Sequence, residues 1–102
     1  MTDIKRKRQS LQARILNGDG RCSATQRREA FEGLSDSQPL GELLQKVRMS
    51  PHSVSDGDVE RALAAGLSED QLFELVVCAA VGQSARQYDA ALAALAAVSG
   101  EE

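Results

Sequence analysis

The chain has 102 residues, 12 basic and 15 acidic, with a net charge of −3 and only two cysteines. That length fits one domain, and two cysteines at positions 22 and 78 do not make a disulfide framework. No apolar run, residues 75–81 included, comes near the roughly 20 residues a spanning helix needs. The basic cluster Lys5-Arg6-Lys7-Arg8 is followed by polar residues and does not read as a secretory signal. A cytoplasmic protein with free thiols is the expectation.

The predicted elements are all helical. Residues 1–16 read as a basic helix with a thin apolar stripe of Ile4, Leu11, Ile15 and Leu16, ended by Asn17-Gly18-Asp19-Gly20. Ser23 stands three residues before Gln26, the capping-box spacing, and opens a second helix through Ala30, Phe31 and Leu34. Residues 35–39 read as a loop, with Pro39 at the first turn of a third helix. That helix carries Leu40, Leu43, Leu44 and Val47, a stripe at i, i+3, i+4 and i+7.

Residues 50–54 read as extended, because the residue before Pro51 is pushed away from the helical region. Ser55 caps a fourth helix whose buried side is Val59, Ala62 and Leu63. Gly66 ends it, and Leu67 packs back. Ser68, with Gln71 at the capping-box position, starts a fifth helix that is apolar on nearly all sides. Gly82-Gln83 reads as a break, and Ser84 with Gln87 as the cap of a sixth helix over residues 85–98. Residues 99–102 read as a short disordered tail. No stretch alternates with period two, so the fold class is all-α with about six helices and no sheet.

A helix that is apolar all round must be buried. A 102-residue chain with three aromatics and no Trp has little else to bury it with. The fifth helix therefore predicts self-association. Charge is divided: residues 1–30 carry +5 and the remainder −8. The basic arm invites a nucleic-acid or phosphate-bearing partner, but no interleaved aromatics or recognised motif accompany it, which disfavours nucleic acid. A solvated helix face is the simpler account.

The block V-S-D-G-D-V-E-R-A-L-A-A-G-L-S-E-D-Q-L-F-E-L-V-V-C-A-A-V-G, followed by an Arg and an Ala/Leu-rich helix, resembles the carboxymuconolactone decarboxylase family of the alkylhydroperoxidase D-like superfamily. The likeness is best over residues 54–98. L-N-G-D-G-R-C-S-A-T-Q-R-R-E-A-F resembles the opening of small single-domain members. The resemblance implies one helical domain over residues 1–102, assembled as a dimer, trimer or hexamer, with a pocket near the subunit interface. It also implies a small carboxylated ligand. Redox members carry Cys-x-x-Cys-x-x-x-His before the A-G-L-S-E-D turn. Counted back from Gly66, those positions fall on Pro51, Val54 and Asp58. No redox cysteine pair stands there, which disfavours thiol peroxidase activity.

The decarboxylase members need an acid/base group and a cation for carboxylates. His52 is the only histidine and a candidate base; it reads first as an exposed loop side chain. Glu74 lies one turn before Cys78 on an apolar helix and is a candidate acid, or else an interface residue paired with a cation. Arg86, just past the expected chain reversal, is the candidate partner of Glu74 or a carboxylate-binding residue. Cys78 reads as a small apolar core residue and Cys22 as a surface thiol. Asp56 and Asp58 read as helix capping rather than a calcium loop. The residues call for no metal and no cofactor. Three functions remain: a decarboxylase-type enzyme acting at an intersubunit pocket, its cavity bordered by His52, Glu74 and Arg86; a non-catalytic oligomeric scaffold or accessory subunit; and a basic-arm binding module.

Overall fold

A computed structural model describes residues 2–34 and 38–100. They form five α-helices and one 3-10 turn, with no strand among the described residues. The helices are α1 (Thr2–Asn17), α2 (Ala24–Glu32), α3 (Leu40–Met49), α4 (Asp56–Ala64) and α5 (Glu69–Ser99), and the turn spans Pro51–Ser53. The all-helical expectation is met. The count of six is not, because the expected fifth and sixth helices are one.

The caps read from the sequence form where they were placed. Ser23, Ser55 and Ser68 each accept the N–H of the residue three positions on, and the side chains of Gln26, Asp58 and Gln71 return to the cap N–H groups. Two orphan donors are thereby satisfied at each helix start. Gly33 ends α2 at φ 78°, and the N–H of Leu34 reaches back to Glu29 O at 2.8 Å. This left-handed position is open to glycine at no steric cost.

Ser84 does not cap a helix; α5 passes through it without interruption. Gly82 explains why. It is buried, and a Cβ there would fall on the carbonyl oxygen of Phe31, within 2.7 Å of its carbonyl carbon. The glycine is present so that the end of α2 can lie against the middle of α5. Its function is close approach, not helix breaking. The expected tail is also shorter than read: Ser99 is the last residue of α5 and Gly100 its left-handed C-cap, while Glu101 and Glu102 lie outside the described residues.

The other helices gather on the first half of α5. One apolar cluster joins Cys22, Ala30, Leu44, Leu75, Cys78 and Ala79, with Ile15 and Phe31 packed against it. A second joins Leu43, Ala62 and Leu72, with Val59, Leu63 and Leu67 around it. The stripe expected on α3 therefore serves both clusters through Leu43 and Leu44. α1 runs antiparallel to α5: Ile15 packs at the level of Cys78, and Arg8 reaches Asp89 at 2.9 Å and stacks 4.5 Å over the Tyr88 ring. Among the described residues α5 is almost wholly exposed beyond residue 89. Leu92, Leu95 and Val98 are 41%, 64% and 87% exposed.

The long helix sets the shape. A 31-residue helix is about 46 Å long, and the molecule measures 50 × 29 × 18 Å. Its radius of gyration is 15.4 Å, against about 13 Å for a compact domain of this length.

Gly82→Ala tests the close approach. Alanine is the better helix former by about 1 kcal/mol, yet overpacking against the Phe31 backbone is expected to lower stability by roughly 1–3 kcal/mol. Urea unfolding followed by circular dichroism gives the sign, and a stabilised variant would contradict the role assigned to Gly82.

Candidate functional site

The three candidate residues lie apart. His52 is exposed in the 3-10 turn between α3 and α4. Glu74 and Arg86 are on the same uninterrupted helix, twelve residues apart, which places them about 18 Å apart along its axis. The chain reversal that would have paired them does not occur. Their partners are other groups.

Glu74 ties the α1–α2 loop to α5. Its two carboxylate oxygens share the backbone N–H of Arg21, at 2.9 and 2.7 Å. Gly20 allows this approach, because a Cβ there would overlap the Glu74 carboxylate. The bond is charge-assisted, and it fixes the turn chemistry of residues 17–20 at one place on α5. Arg86 serves the other end of α2. Its Nη1 donates to Phe31 O at 2.7 Å and its Nη2 to Gln83 Oε1 at 3.0 Å. Arg48 donates to the neighbouring Ala30 O at 3.5 Å. Two cations thus sit at the negative end of the α2 dipole. Burial, and then the nearby Arg86 charge, push the Arg48 pKa down.

Two polar arrangements go beyond the sequence reading. Arg27 is buried, 7% exposed, and donates through Nη1 to Gly18 O at 2.6 Å and Ile15 O at 3.2 Å. It closes the last carbonyls of α1, which the end of a helix leaves without partners. The signal was present: Arg27, Ala30, Phe31 and Leu34 stand at i, i+3, i+4 and i+7, so Arg27 shares the face that packs inward. Asp58 is the second, 4% exposed. Besides its capping bond to the Ser55 N–H at 2.9 Å, it takes Lys46 at 2.9 Å and Arg61, three residues along α4. The Lys46 ammonium, followed by the Ser55 N–H, holds its carboxyl at about 2. The capping reading of Asp58 stands; the cation from α3 makes it also a link between α3 and α4.

A small cavity of about 160 Å³ lies where α1, α2 and α5 meet, bordered by Arg14, Asp19, Arg27, Phe73, Glu74 and Cys78 among others. Of the three candidates only Glu74 borders it. Both thiols are close by. Cys22, expected at the surface, is buried at 4% exposure, and its S–H points to Gln71 O at 3.4 Å. Burial pushes its pKa up to about 11, with Glu74 adding to the effect. Burial raises Cys78 as well. Both therefore remain thiols at neutral pH, and the thiolate is the nucleophilic form. Cys78 packs in the core as read. No cluster of three or more His, Cys, Asp or Glu side chains suited to a metal is present among the described residues.

Comparison with protein-family models, with curated proteins and with solved structures gave no match to the chain.

Replacing Glu74 separates an anchor from an acid. Glu74→Ala is expected to lower unfolding stability by about 1.5–3 kcal/mol, the range for a hydrogen bond to a charged group. Glu74→Gln keeps an acceptor for the Arg21 N–H and should recover half or more of that loss. Equal stability of all three proteins in urea unfolding would contradict the anchoring role.

Proposed function

We propose that this protein is a non-catalytic oligomeric helical subunit, a scaffold or accessory chain that works by association. The observation carrying this reading is the last third of α5, a helix without cover. From Ala90 to Ser99 it has no charged side chain, and its Leu and Val side chains stand in solvent in the single chain. An exposed apolar surface of this continuity marks an interaction site.

The placement of the polar residues supports the same reading. Glu74 and Arg86 spend their hydrogen bonds on backbone groups of this chain, and His52 stands elsewhere on the surface. A decarboxylase acting on a small carboxylated metabolite would need an acid/base group and a cation within reach of one ligand. Kinship with the carboxymuconolactone decarboxylase family rests on the sequence block over residues 54–98 and remains part of this proposal. It would bring the family's oligomeric habit to the chain. The basic arm of α1 is partly used at home, since Arg8 is held by Asp89 and Tyr88.

Sedimentation velocity on the purified chain tests the reading. A mass at least twice the 10.9 kDa of one chain is expected at micromolar concentration. A strict monomer up to about 100 µM would refute it, and measured turnover of a carboxylated lactone would replace it with the enzyme reading.

A further inference from the structure

The uncovered face of α5 has a pattern of its own. Val81, Ser84, Tyr88, Ala91, Leu95 and Val98 follow one another at alternating steps of three and four residues. This is the spacing of a helix–helix seam. The flanking positions are Ala80, Gln87 and Ala94 on one side, and Ala85, Leu92 and Ser99 on the other. All twelve residues are uncharged. The only charges between residues 80 and 99 are Arg86 and Asp89. Both lie off the seam, and both are bonded within their own chain, to Phe31 O and to Arg8.

Four of the six seam residues are open to solvent, while Val81 and Tyr88 are half-buried, Tyr88 beneath the Arg8 guanidinium. Ser84, Ala91, Leu95 and Val98 are exposed, as are the flanking Ala80 and Gln87. Over residues 80–88 it forms one wall of an apolar groove of about 420 Å³. Arg8, Leu11 and Gln12 of α1 form the other. Leu11 is 47% exposed beside it.

We propose that residues 80–99 of α5 pair antiparallel with the same segment of a second copy, about a two-fold axis near residues 89 and 90. This rests on the oligomeric reading above and adds the surface and the register. The seam read backwards matches the seam read forwards. Val81 meets the partner's Val98, Ser84 meets the partner's Leu95, and Tyr88 meets the partner's Ala91. Each large side chain falls opposite a small one, and the two valines fall together, so the layers fill evenly. In a parallel pair, Tyr88 would oppose Tyr88, while Ser84 and Ala91 would oppose themselves and leave voids. A two-fold interface needs this self-complementarity.

The area agrees. The chain exposes 6905 Å², whereas a compact monomer of 10.9 kDa exposes about 5,600 Å². The excess of about 1,300 Å² is larger than the roughly 800 Å² that each partner buries in a standard interface. The partner's Leu95 and Val98 would enter the groove between α1 and α5. The two α1–α5 pairs would then form a four-helix arrangement with Leu11 at its edge.

Cysteine cross-linking tests the register. Ser84→Cys and Leu95→Cys chains are prepared separately, mixed, allowed to exchange and oxidised mildly. Cys22 and Cys78 are buried, and the unmodified chain is the control. The mixture is expected to give at least tenfold more disulfide-linked dimer than either variant alone. Within one variant, the two like positions lie about 16 Å apart along the axis, beyond the roughly 7 Å limit for a disulfide. Strong self-linking of Ser84→Cys would show a parallel pair and overturn the proposal. An oligomeric mass without linking in the mixture would place the interface elsewhere, overturning this pairing while leaving the oligomeric reading intact. A monomer would overturn both. Ala91→Glu gives a second reading: the helical signal is expected to be unchanged and association to weaken at least tenfold. Undiminished association would also overturn the pairing.

Discussion

The close approach of α2 to α5 at Gly82 organises the rest of the chain. Because position 82 has no side chain, the carbonyl of Phe31 can rest on the α5 backbone. That places α2 beside the middle of α5, brings Ala30 against Cys78 and Ala79, and sets Arg86 under the last carbonyls of α2. α2 in turn carries Arg27 to the end of α1, so three helices take their positions from one contact. The same contact sets how much of α5 the chain can cover. The buried residues of α5 end at Gly82, and beyond Asp89 the helix continues for another ten residues that are almost all exposed.

Each of the prominent charged residues has a structural task. Glu74 holds the α1–α2 loop, Arg27 and Arg86 close helix ends, and Asp58 gathers Lys46 and Arg61 around a cap. Buried charge is costly unless it is bonded, and in this chain the bonding partners are mostly backbone groups at helix termini. Such an arrangement fixes a small all-helical fold whose apolar core is thin. It leaves the uncharged outer part of α5 exposed in the single chain.

Much of the fold was legible because caps are local. Ser23, Ser55 and Ser68 announce helix starts through bonds that reach only three residues, and the stripe on α3 announces its buried face. What the sequence hid was long-range. Gly82 followed by Gln83 and Ser84 has the composition of a break and a new cap, and only the presence of Phe31 on the other side shows it to be a packing glycine. From that misreading followed the sixth helix and the expected pairing of Glu74 with Arg86. Within the single chain Glu74 and Arg86 stay apart for the same reason: their pairing needed the chain to turn back on itself. The demand for cover on α5, by contrast, was legible from its apolar composition alone, and most of the first half of the helix found that cover within the chain, Phe73 excepted.

The central claim is that α5 completes itself with an antiparallel copy, and pulsed electron–electron spin resonance between copies measures that directly. Spin labels at Ala90, near the proposed axis, should lie close together, with almost no separation along the helix. Labels at Ala97 should lie farther apart, by about 22 Å along the axis in addition to the spacing between helices. A short distance at Ala90 and a long one at Ala97 is the result this account predicts. Equal distances at the two positions, or no dipolar signal at either, would contradict it.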